Sequence, residues 1–189
     1  MSRQFVLLAL VALLAAAGGY FVAQRTGEPP LAPGGTASVP TPETLVGQRR
    51  PDFRLADAAG SPVTAADFDG QWLLLNFWAT WCAPCVEEMP MLSRLQRDYA
   101  GQGLRVVGIA VDDPDRARAF ADDLDLDYPV LSGPGLSGAG EAMLVGRRFG
   151  NGSGMLPFSV LIDAAGVVRW THLGAVRREQ LETQLAELR

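Results

Sequence analysis

The stretch Trp72-Leu-Leu-Leu-Asn-Phe-Trp-Ala79 constrains the fold more than any other part of this chain. Its apolar character is broken only at Asn76. A short, near-continuous apolar run suits a strand covered on both faces, whereas a strand wetted on one side would alternate. The period then changes. From Cys82 to about Tyr99 the residues Val86, Met89, Leu92 and Leu95 recur at helical spacing, and Pro90 is expected to kink that helix. At the junction of strand and helix stand Cys82 and Cys85, the only cysteines among 189 residues.

The flanking segments fit a sheet with helices on both faces. Phe53 and Leu55 alternate with polar neighbours, a turn falls at Ala59-Gly60, and the pattern resumes at Val63, which predicts an N-terminal β-hairpin. Leu104–Asp112 reads as a second buried strand, and a helix is predicted from Pro114. Tyr128–Ser132 reads as a short strand. Residues 133–154 are glycine-rich around a helical candidate at 141–149 and read as an insertion. Phe158–Asp163, a turn at Ala165-Gly166, Val167–Gly174 and a final helix complete the chain. The order predicts an α/β domain with a central mixed sheet, the last hairpin adding an antiparallel edge.

The N-terminus carries no charge from Phe5 to Ala23. As a helix that run would span roughly 28 Å, close to a bilayer core of about 30 Å. Residues 1–23 are therefore expected to be a membrane anchor. A cleaved signal segment is the alternative, with Ala15-Ala16-Ala17 at its end and a protein released in soluble form. Either way export is expected, to the periplasmic side of a bacterial inner membrane. Residues 24–44, rich in Pro, Gly, Ser and Thr, are expected to form a flexible tether, leaving 45–189 as the folded domain. The net charge of −5 argues against nucleic acid, which requires a basic face. All sixteen basic residues are arginine; lysine does not occur.

Four chemistries compete for the cysteine pair. Attachment of a c-type haem requires histidine directly after the second cysteine, and Val86 stands there. Zinc requires three or four ligands, and two cysteines with the single distant His172 do not supply them. A purely structural disulfide would close so short a loop that it would constrain the unfolded chain little. Redox cycling remains. At a helix start, unpaired N–H groups and the positive end of the helix dipole favour a thiolate. Cys82 is therefore expected to be the exposed nucleophile and Cys85, one turn in, the buried thiol that resolves the mixed disulfide. The Ala83-Pro84 spacer restricts the turn between them.

Phe77-Trp-Ala-Thr-Trp-Cys-Ala-Pro-Cys85 after a buried strand, Pro90 five residues on, and Gly154-Met-Leu-Pro-Phe-Ser-Val-Leu-Ile-Asp163 resemble the thioredoxin fold. The N-terminal segment, the tether and the lead-in Arg49–Gly60 narrow the resemblance to the TlpA/ResA/DsbE-like branch of exported thiol–disulfide oxidoreductases, over residues 48–188. The resemblance implies that Cys82 attacks and Cys85 resolves. It also implies that Pro157 is a cis-proline facing the disulfide, and that Leu156 offers its backbone to substrate. Trp81 and Pro84 would belong to the substrate surface, with Trp81 over the thiols and Trp78 in the core. Thioredoxin carries a buried aspartate paired with a lysine; here Asn76 takes the aspartate's place and no lysine exists. Glu88 is the candidate substitute, tuning Cys85 or relaying its proton, while Glu87 reads as a surface carboxylate. No metal or organic cofactor is implied.

The leading reading is a membrane-tethered reductant of disulfides in exported proteins, apocytochrome c being a substrate the family often serves. A membrane-spanning partner would supply electrons. A disulfide oxidase could use the same dithiol in the opposite direction. A non-enzymatic copper or assembly chaperone would use the thiols as ligands. Related thiol peroxidases carry Pro and Thr seven and three residues before their reactive cysteine, where this chain has Leu75 and Ala79.

Overall fold

The computed structural model describes residues 40–135 and 138–186. The expected anchor, residues 1–23, and most of the expected tether lie outside the described residues. The end of that tether differs from expectation. Pro42–Leu45 forms a helical turn, α1, capped by the Thr41 hydroxyl, which accepts from the Thr44 amide. Leu45, the first residue of the expected domain, is buried in the core, and its apolar contact offsets part of the cost of ordering the turn before it.

The lead-in hairpin consists of β1 (Arg54–Ala56) and β2 (Pro62–Thr64), paired antiparallel. Then follow β3 (Trp72–Trp78), α2 (Ala83–Tyr99), β4 (Leu104–Ala110), α3 (Pro114–Asp123) and β5 (Val130–Ser132). The chain ends with α4 (Gly138–Arg148), β6 (Phe158–Ile162), β7 (Val168–Leu173) and α5 (Arg178–Leu185). One sheet of order β2-β1-β5-β4-β3-β6-β7 contains all seven strands. β3, β4 and β5 are parallel neighbours, while β6, β7 and the hairpin run antiparallel, giving the mixed sheet expected.

Right-handed crossovers between parallel neighbours put α2 and α3 on one face. The return from β5 past β4 and β3 to β6 then places α4 on the other. The side chains of β3 record this division, alternating as strand residues must. Leu73, Leu75 and Phe77 pack with Ala142, Val145 and Phe149 at α4. Leu74 faces Leu92 and Leu95 of α2 and Leu181 and Leu185 of α5. Trp78 meets Cys85 and Met89 of α2 and Ala117 of α3, and its ring lies 5.9 Å from Phe120. Each such side chain contributes about 1.5–3 kcal/mol on full burial. α2 continues through Pro90 to Tyr99. Pro90 sits on its exposed side, so the proline removes one helical hydrogen bond without ending the helix.

The stretch 133–154, expected as an insertion, is built around α4, whose inner face belongs to the core. Its glycines permit close approach. A Cβ on Gly138 would stand 2.5 Å from Pro114 Cγ, and one on Gly133 would stand 2.4 Å from the Gly138 carbonyl oxygen.

Candidate active site

The carboxyl ends of β3 and β4 carry the functional side chains. Cys82 is the N-cap of α2 and Cys85 lies one turn in. The Cys82 carbonyl accepts from the amides of Cys85 (3.0 Å) and Val86 (3.2 Å), which starts the helix. The two sulfurs are bonded at 2.01 Å, with Cα atoms 5.3 Å apart. Cys82 is 6% exposed and Cys85 fully buried, so both are covered and Cys82 is the more accessible. Seventeen residues of α2 direct their dipole at this end, where a thiolate gains most.

Trp81 is 66% exposed and Met155 56% exposed, and Pro84 is exposed as well. Trp81 therefore projects into solvent, while Trp78 is fully buried, as the sequence predicts. The Leu156–Pro157 peptide bond is cis. Leu156 packs against the cluster that contains both cysteines, Ala79 and Met89.

Glu88 is buried, unlike Glu87, which is exposed. The Asn76 side-chain amide donates to Glu88 Oε1 at 2.7 Å and to Ser159 Oγ at 3.1 Å, and the Val176 amide donates to Glu88 Oε2 at 2.8 Å. Burial pushes the Glu88 carboxyl up from 4.5 to about 7, against these two donors, which favour its ionised form. Asn76 and Glu88 thus belong together. An aspartate at position 76 would face a second carboxylate, whereas the amide offers it a proton. Tyr128 shares this environment, and burial, then the charge of Glu88, raise its hydroxyl above its ordinary range.

A second carboxylate lies at the end of β4. Asp112 Oδ2 accepts from the Thr80 amide at 2.9 Å and the Thr80 hydroxyl at 2.6 Å. Burial alone would raise the Asp112 carboxyl. The Thr80 hydroxyl and amide, the Asp113 amide and Arg116 outweigh it and hold the group below the usual carboxylate range. Sequence reasoning missed Asp112, Ser159, Val176 and Tyr128. The one signal for Asp112 was its place just past an apolar strand, at the carboxyl edge where open α/β sheets build sites. His172 lies half-buried on β7, paired in register with Ser159 of β6 and stacked on Trp170 at 5.3 Å. Among the described residues, no group of three or more His, Cys, Asp and Glu is placed to hold a metal ion.

Comparison with known proteins agrees with this geometry. Residues 46–171 match the model of the AhpC/TSA family. The thioredoxin-like protein YneN of Bacillus subtilis is 34% identical over 144 residues, 74% of this chain and 78% of that protein. The thiol–disulfide oxidoreductase ResA of Bacillus thuringiensis is 33% identical over 144 residues, covering 76% of this chain and 78% of that one. The crystal structure of a Chlorobium tepidum protein, described as a DsbE-type thiol:disulfide interchange protein, superposes with a TM-score of 0.64 at 28% identity, over 76% of this chain and 96% of its own. With a dithiol at a strand-to-helix junction and a cis bond before Pro157, this chain belongs to the AhpC/TSA family and, within it, to the thioredoxin-fold thiol–disulfide oxidoreductases of ResA and DsbE type.

Proposed function

We propose that this oxidoreductase works outside the cytoplasm, tethered through its N-terminal segment, as a reductant of disulfides in exported proteins. The observation that carries the reading is the pairing of a helix-capping Cys82 with exposed apolar chain neighbours, Trp81 before it and Pro84 two residues on. The Cys82 thiolate attacks one sulfur of a substrate disulfide. A Cys82–substrate bond forms and the other substrate sulfur leaves as a thiolate. The Cys85 thiol, losing its proton, then attacks Cys82, the second substrate sulfur leaves, and Cys82–Cys85 closes. The substrate gains two electrons and two protons, and the enzyme loses them.

Glu88 is the group in this reading that exchanges the proton of Cys85. With its carboxyl near 7, it can hold or release a proton at neutral pH at little cost. Leu156 and Pro157 bind the substrate chain next to the disulfide. A membrane-spanning dithiol partner returns the two electrons, since exported compartments lack a cytosolic reductant pool. Apocytochrome c, whose cysteines must be reduced before haem attachment, is a fitting substrate for such a device.

The test is the reduction potential of Cys82–Cys85 together with capture by a Cys85→Ala variant in cells. A low potential, with exported proteins held on Cys82 as mixed disulfides, supports the reading. A potential well above roughly −180 mV would make the protein an oxidase. Absence of any mixed disulfide would contradict the reading altogether.

A further inference from the structure

The chain makes a tight turn just before Cys82. The Cys82 amide donates to the Ala79 carbonyl at 3.1 Å, closing four residues on one backbone hydrogen bond. Thr80 is the second residue of that turn, and its amide and hydroxyl both end on one oxygen of Asp112. The other carboxylate oxygen accepts from the Asp113 amide at 2.8 Å and lies 3.6 Å from an Arg116 nitrogen. The Asp112 side chain is 4% exposed. Both of its oxygens are thus engaged. Of these partners, Thr80 is the one that belongs to the turn before Cys82.

We propose that Asp112 is a positioning residue for Cys82: by clamping Thr80 to the end of β4, it fixes the turn that seats the sulfur at the tip of α2 and directs Trp81 outward. The proposal rests on the reading of Cys82 as the attacking thiol. Its physical basis is the short range of the helix-end effect, which fades beyond the first turn. A cysteine on a loose turn would spend part of its time away from the unpaired N–H groups of α2, and its thiolate would lose their support. Hydrogen bonds to an ionised carboxylate are roughly twice as strong as neutral ones. Two of them on a single residue therefore hold the turn far better than the one backbone bond does. β4 lies beside β3 in the sheet, with Ala110 paired to Trp78. The Val111 amide continues the register by donating to the Trp78 carbonyl at 2.8 Å, so the clamp is anchored on rigid structure.

A direct charge effect would act with the opposite sign. A carboxylate near a thiolate disfavours it, so removing the charge alone would make Cys82 more acidic. The two roles are therefore separable.

The experiment uses the full chain carrying Cys85→Ala, so that one thiol remains, and follows the rate of alkylation by iodoacetamide against pH. Asp112→Ala is expected to move the inflection upward by about one pKa unit and so to slow alkylation about tenfold at pH values below both inflections. Asp112→Asn retains an oxygen for Thr80 and is expected to restore the profile to within about threefold. Thr80→Val keeps the amide contact, loses the hydroxyl and is expected to fall between them. Inflections lowered in both Asp112 variants would overturn the proposal in favour of a charge effect. An unchanged profile with a lowered melting temperature would overturn it in favour of a merely structural carboxylate. Should Asp112→Ala not fold, Thr80→Val decides by the same profile. Alkylation is independent of turnover, so a chain that reduces no protein disulfide yet shows these shifts would refute the proposed function and leave the positioning role standing.

Discussion

Replacing Glu88 by glutamine removes a buried carboxyl while keeping its shape, and the consequence depends on pH in a defined direction. In the folded protein burial holds the carboxyl's pKa at about 7, whereas the unfolded chain releases the proton near the ordinary value of 4.5. Between these values the folded state binds more protons. Glu88 therefore supports folding fully below pH 4.5, and that support is lost as pH rises through about 7. At about 1.4 kcal/mol per unit, the change between pH 4.5 and pH 8 amounts to about 3 kcal/mol. Glutamine does not titrate. It can accept a hydrogen bond from Asn76 or from the Val176 amide but not from both, which costs about 1–3 kcal/mol at every pH. The stability of Glu88→Gln minus that of the parent should thus rise by about 3 kcal/mol from pH 4.5 to pH 8. The assay is denaturant unfolding of both proteins in the disulfide form, where no thiol titrates and all other groups cancel in the difference. A difference that stays flat across this range would refute the reasoning, since it would mean that Glu88 ionises as it does in water.

Other expectations follow from burial and contact. Phe77→Ala should cost about 3–5 kcal/mol, because the ring is buried between Phe158 at 5.7 Å and Phe149 at 6.2 Å; unfolding in denaturant measures it. Trp81→Ala should leave stability within about 0.5 kcal/mol, since the ring is exposed, while raising KM for a protein disulfide more than it lowers kcat. Gly108→Ala would place a Cβ 2.9 Å from Trp78 Nε1 and 3.2 Å from the Tyr128 ring, and the overpacking should lower stability by about 1–3 kcal/mol.

Much of the architecture was legible because central strands have a simple signature. Leu73 to Trp78 are buried without interruption, which a near-continuous apolar run satisfies, Asn76 being the one polar residue in it and hydrogen-bonded. The cysteine chemistry was legible by elimination, and the cis bond before Pro157 through resemblance to a family. Features made by distant partners were not. The helical pattern of α2 places Glu88 beside Cys85 but does not show that Val176, 88 residues away, closes over the carboxylate. Asn76 read as the loss of an acid, whereas the structure makes it the donor that allows an acid at position 88. Residues 133–154 read as a glycine-rich insertion around a helical candidate. There the missing side chains at Gly133 and Gly138 let the start of α4 approach Pro114 closely, a purpose that composition does not reveal. Residues 42–44 read with the tether, since a Pro-rich tether and a proline at a helix start look alike, whereas Leu45, the first residue of the expected domain, is buried in the core.

The central claim is that two sulfurs at the tip of α2 exchange with a disulfide in another protein. Insulin reduction by the full chain, supplied with dithiothreitol, tests this most directly when the parent is measured beside Cys82→Ser. The account predicts turnover by the parent well above the dithiothreitol background and none above it for the variant. Equal rates for the two, or no turnover by the folded parent, would contradict it.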